Sequence, residues 1–132
     1  MSRPWRSVRA LFAGFVAVVV LSLGADAIMH ATGVYPPWGM PMSDGLFGLA
    51  TLYRTAFSVF GSYLTARLAP DRPMQHALWG GAAGMVIATF GALATWNRGT
   101  EFGPHWYPVS LVVLAMPSAW AGGRLLLTQV RD

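Results

Sequence analysis

The sequence predicts an all-α protein, an integral membrane four-helix bundle with both termini on the cytoplasmic side. Three observations lead there. Hydrophobic residues make up 55% of the 132 and charged ones only 11%, a balance unlike that of soluble domains. Four apolar stretches, at about 10–31, 45–68, 74–96 and 106–127, reach the roughly 20 residues that a helix needs to cross a hydrocarbon core. The arginines stand singly at the ends of these stretches and crowd on one side of them. The chain reads as one membrane domain over 1–132.

Arg3, Arg6 and Arg9, with Trp5 among them, precede the first stretch, which runs from Ala10 to about Ala31. A basic start, an apolar middle and Ala25-Asp26-Ala27 also fit a secretory signal with a small-residue cleavage site. An apolar run at the long edge for a signal core, with Asp26 where a neutral residue is usual, favours a retained helix. Gly33, Pro36, Pro37 and Gly39 then surround Tyr35 and Trp38, and Pro41 follows. Proline removes backbone donors and fixes torsions, and Tyr and Trp prefer the headgroup zone, so a short, stiff interfacial loop is expected.

Ser43 or Asp44 can cap the second helix by accepting from its first free amides. This helix carries Arg54 near its middle and ends at Pro70-Asp71-Arg72-Pro73. Ala50, Thr51, Ser58 and Gly61 fall on the same side as Arg54 by helical spacing, so the arginine should face packed protein. The third helix has Gly80, Gly84, Ala88, Gly91 and Thr95 at intervals of three or four, a stripe that lets backbones approach closely in lipid. A polar connection with Arg98, Glu101 and His105 leads to Trp106-Tyr107-Pro108, an interfacial anchor. The fourth helix contains Pro117, a predicted kink, and a second small-residue face at Ala115, Ala119 and Gly123.

A cytoplasmic N-terminus places Arg3, Arg6, Arg9, Arg67, Arg72, Arg124 and Arg131 inside and only Arg98 outside, which is the positive-inside bias. The formal charge of +4 is spread over those helix ends and forms no patch for nucleic acid. All basic residues are arginine, and cysteine is absent, which excludes disulfides and thiolate sites. Pro36-Pro37-Trp38 before the second helix and Pro104-His105-Trp106 before the fourth form an internal echo, compatible with a parallel repeat of two helix pairs.

The candidate site is an intramembrane polar cluster of Asp26, His30 and Arg54. A guanidinium stays protonated in a protein, and at membrane depth it costs at least about 2.5 kcal/mol, so it requires a partner. Asp26 is the acid at comparable depth, and His30 shares its helix face one turn away. The pair either fixes helix register, anchors an anionic solute, or forms a proton relay through Asp26 and His30. Asp26, His30 and His105 are also weak metal candidates, since two ligands on one helix need a third. His30 with His105 is the conceivable haem pair. His76 and the six tryptophans read as interfacial residues. No cofactor is expected. No nucleotide loop, zinc-protease helix or glycine-flanked nucleophilic serine occurs, so enzymatic chemistry is unsupported.

Three strings, Thr32-Gly33-Val34-Tyr35-Pro36-Pro37-Trp38-Gly39, Tyr53-Arg54 with Gly61-Ser62-Tyr63 and Ala66-Arg67-Leu68-Ala69-Pro70, and Gly103-Pro104-His105-Trp106-Tyr107-Pro108, resemble those of small four-helix bacterial integral membrane proteins with no assigned activity. The resemblance implies topology and a bacterial inner-membrane location, and it carries no function. The expected role is a small packing or accessory subunit in the lipid bilayer, a homo-oligomer or part of a larger membrane complex. The alternative is an oligomeric transport or proton-relay protein built around Asp26, His30 and Arg54, and a membrane-embedded enzyme or metal carrier comes third.

Overall fold

The computed structural model describes residues 3–37, 40, 42–98 and 104–131. It is all-α: helices α1 (Arg3–Ala31), α2 (Asp44–Leu68), α3 (Pro73–Thr95) and α4 (Trp106–Arg131), with no strand among the described residues. Trp38, Pro41 and Glu101, which the sequence places in the two connections, lie outside the described residues.

Local sequence sets the helix ends. α1 starts at Arg3, ahead of the apolar run, because Pro4 is harmless in a first turn and arginine is a good helix former. It stops at Gly33, whose φ of +81° few other residues adopt and whose amide donates to the His30 carbonyl. Ser43 caps α2, its Oγ accepting from the Leu46 amide at 3.3 Å. Arg72 turns left-handed at φ 43° before Pro73 opens α3. α4 runs unbroken through Pro117.

α1, α3 and α4 are long and apolar enough to cross a membrane. α2 matches them in length, yet Arg54, Thr55, Ser58, Ser62 and Thr65 dilute its apolar character. Its position accounts for this, for α2 packs broadly against both α1 and α4 and also contacts α3. A helix shielded by neighbours faces less lipid and tolerates polar groups that a lipid-facing one does not.

The chain runs up and down. Asp26 meets Arg54, and Gly14 meets Gly61, so α1 and α2 are antiparallel. Gly81 of α3 lies against Ala119, and Gly123 lies against Met74 and Ala77, so α3 and α4 are also antiparallel. The N-terminus, the turn at 69–72 and the end of α4 therefore share one end of the bundle, here the near end. The connections 32–43 and 96–105 share the far end.

The interior is made mainly of small residues, with Tyr35, Phe47, His76 and Leu126 among the few large ones buried, and many large ones point outward. Ala10, Ala50, Ala66, Ala77, Ala92 and Ala119 are buried, whereas Phe12 is 66% exposed, Phe90 68% and Leu93 69%. In water such a surface would drive aggregation. In lipid it is the expected arrangement, because association there rests on close packing of small side chains rather than on burial of large ones. Two seams show the closeness. A Cβ on Gly61 would come within 2.8 Å of the Gly14 carbonyl, and one on Gly122 within 2.4 Å of the Val59 carbonyl.

Candidate functional site

The far end holds the polar cluster. Asp26 projects from the last turns of α1 toward α2, where the Arg54 guanidinium donates to Oδ2 and the Tyr53 hydroxyl donates to Oδ1. Both carboxylate oxygens are thus engaged by neighbouring residues of one helix. Tyr35, buried in the connection, donates its own hydroxyl to the Tyr53 oxygen at 2.9 Å. The result is a directed chain from Tyr35 to Tyr53 to the Asp26 carboxylate, closed on the other side by Arg54. Side-chain exposures of 27% for Arg54 and 15% for Asp26 put the pair mostly out of solvent. Ion pairs of this kind lose much of their gain to desolvation, but an unpaired member costs more still. Nε of Arg54 is buried without a hydrogen-bond partner.

His30 is placed beside this chain. Its ring stands edge-on to Tyr35 at 5.2 Å, and Nδ1 lies 3.0 Å from the Pro36 carbonyl, which can only accept, so Nδ1–H donates. The imidazole thereby fastens the proline-rich connection over the end of α1. His105 does similar work on the other connection, stacked on Trp96 at 3.8 Å with Nε2 2.9 Å from the Trp96 carbonyl. Among the described residues no group of three or more His, Cys, Asp and Glu side chains is placed to hold a metal.

His76 sits at the near end, 2% exposed. Nδ1–H donates to the Arg72 carbonyl at 3.1 Å, and Nε2 shares a hydrogen bond with the Ser7 hydroxyl at 2.8 Å. It is a buried interhelical tie between α1 and α3.

The small residues predicted for helix packing divide into two groups. Ala119 and Gly123 lie in the α3–α4 seam, with the Ala115 carbonyl beside them. Gly80, Gly84 and Ala88 instead line an open cleft between α1 and α3, and a Cβ on Gly84 or Gly91 would meet nothing within 4 Å. The close contacts of these helices fall on Gly14, Gly61, Gly81 and Gly122. The cleft has a volume of about 630 Å³ and apolar walls that include Phe12, Phe15 and Ile87. Its floor is the polar face of α2, and it reaches Arg54.

Tyr35 and Tyr53 are the members of the cluster that residue patterns did not single out. The one signal for them is that a carboxylate has more acceptor sites than a single arginine fills, which directs attention to hydroxyls near Arg54. No family model matches this chain, and no curated protein or solved structure is significantly similar to it.

Proposed function

We propose that the chain is a four-span protein of a bacterial cytoplasmic membrane, with both termini on the cytoplasmic face, acting as a small packing or accessory subunit that self-associates or docks on a larger membrane complex. The observation that carries this reading is how the polar focus is spent: both Asp26 oxygens are taken by α2, and the helices are clamped by that contact. A carboxylate so engaged offers no free base and no open site for a solute. The orientation draws on the near-end collar of Arg6, Arg9, Arg67, Arg72 and Arg124 against Arg98 at the far end. The inclusion of α2 as a span draws on its 25 residues and its place among the other three helices.

The transport or relay reading around Asp26, His30 and Arg54 has one observation in its favour, that the cleft between α1 and α3 reaches Arg54. Native mass spectrometry of the full chain in a mild detergent separates the readings. More than one copy, or a co-purifying subunit, is the expected result. A single copy without companions would overturn the accessory role, and proton flux in proteoliposomes lost on Asp26→Asn would replace it with a relay.

A further inference from the structure

Serine and threonine in apolar helices usually turn their hydroxyl back to a carbonyl three or four residues earlier, because no water is available. Much of this protein obeys that habit: Thr32, Thr51, Thr89, Thr95, Ser110 and Thr128 all donate to their own helix, while Ser7 and Ser43 bond elsewhere. Ser22, Thr55, Ser58, Ser62, Thr65 and Ser118 have no hydrogen-bond partner among the described residues, and all six line the cleft between α1 and α3. Ser22, Thr65 and Ser118 are 4%, 3% and 4% exposed, and the little surface they keep lies in the lining of the cleft.

Their arrangement is specific. Thr55, Ser58, Ser62 and Thr65 recur once per turn along α2, a ladder about 15 Å long at about 1.5 Å per residue. Ser22 lies one turn before Asp26, and Ser58 lies one turn beyond Arg54, the partner of Asp26. Ser118 lies one turn before Gly122, which packs on Val59 and Ser62. The register therefore brings Ser22, Ser58 and Ser118, from three helices, to one level near the middle of the bundle. Facing them, α3 presents Gly80, Gly84 and Ala88, which leave the space open.

We propose that this cleft binds an uncharged amphiphile from the bilayer, whose carbonyl or hydroxyl oxygens meet the serine level and whose apolar body lies against the walls of α1 and α3. The proposal rests on the bundle lying in a membrane and is independent of its assembly. Uncharged follows from the lining, where Arg54 is the one cation among the described residues and is already paired with Asp26. Small follows from volume. The cleft's 630 Å³ falls within the usual range of about 300–1,000 Å³ for small-molecule sites. Esters of glycerol and prenylated quinones share the required chemistry.

The test uses three probes with the same diazirine on an apolar chain: a diacylglycerol, a prenylated benzoquinone and a phosphatidylglycerol. Each is added to the full chain in neutral detergent, photolysed, and mapped by peptide mass spectrometry. One of the neutral probes is expected to label the cleft walls saturably, and which of them does so identifies the source. Gly84→Leu, placed where nothing lies within 4 Å, should cut that labelling at least roughly tenfold, and Gly80→Val serves as a second block. Combined Ser58→Ala and Ser118→Ala should weaken binding by about five- to tenfold. Equal labelling by phosphatidylglycerol, indifference to both blocking variants, or cross-linking of two copies through the cleft would each overturn the proposal.

Discussion

At the far end of the bundle, Asp26 spends both oxygens on α2, Tyr53 takes a second bond from Tyr35, and His30 secures the connection above them. One turn toward the middle, Ser22, Ser58 and Ser118 stand at one level and bond to nothing among the described residues. Both regions place polar groups inside the bundle, and if it lies in a membrane, as proposed, an unmet hydrogen bond there is expensive. The first meets that demand internally and thereby joins α1, α2 and the connection. The second leaves it open beside a cavity. The difference separates groups that hold the bundle together from groups kept available for something outside it, and substitutions should separate them in the same way.

The largest effect should come from Arg54→Leu, which strips Asp26 of its counter-charge. A loss of about 3–5 kcal/mol is expected for breaking a buried pair from one side, read as a large drop in the thermal midpoint of the detergent-solubilised protein. Combining Arg54→Leu with Asp26→Leu should recover most of that loss, because two matched apolar residues leave no charge unmet. A double variant as unstable as the single one would show that the pair is more than a clamp.

Next is Tyr53→Phe, which removes the donor to Oδ1 and strands the Tyr35 hydroxyl together. A bond to an ionised acceptor is worth about 1.5–3 kcal/mol, so a smaller but clear fall in the midpoint is expected. Tyr35→Phe removes only the outer link and should cost less. If Tyr35→Phe proved the more damaging, the direction of the chain from Tyr35 to Asp26 would be wrong.

How much of this could be read beforehand differs between the regions for physical reasons. The contact of Asp26 with Arg54 was legible because a permanent charge at depth demands its opposite, and one acid stood at the right depth. Helix ends at Gly33, Ser43, Pro70 and Pro73 were legible from backbone chemistry alone. The tyrosines were not, since their role depends on where the connection folds back. Nor was the packing face of α3. Ala77, Gly80, Gly81, Ala82, Ala83 and Gly84 spread small residues around much of the helix, so periodicity selects no side. Gly81 takes the contact with Ala119, while Gly84 opens on the cleft. The apolar character of α2 was read as higher than it is, because its hydroxyls looked like packing residues rather than one continuous polar stripe.

The smallest effect on stability is expected in the cleft, and it decides whether the two regions differ in kind. Ser58→Ala and Ser118→Ala remove hydroxyls that have no partner among the described residues, so no hydrogen bond seen there is lost and an apolar methyl takes their place. Replacing an unpaired polar group by an apolar one of similar size is near neutral or slightly stabilising, and a change within about 0.5 kcal/mol should follow for each in ligand-free protein. The measurement is the thermal midpoint after delipidation, compared with that of Tyr53→Phe in the same detergent. Should the serine variants fall as far as Tyr53→Phe, their hydroxyls would be interhelical ties like those of the far end, and the bundle would hold one polar network in place of a clamp and an open seat.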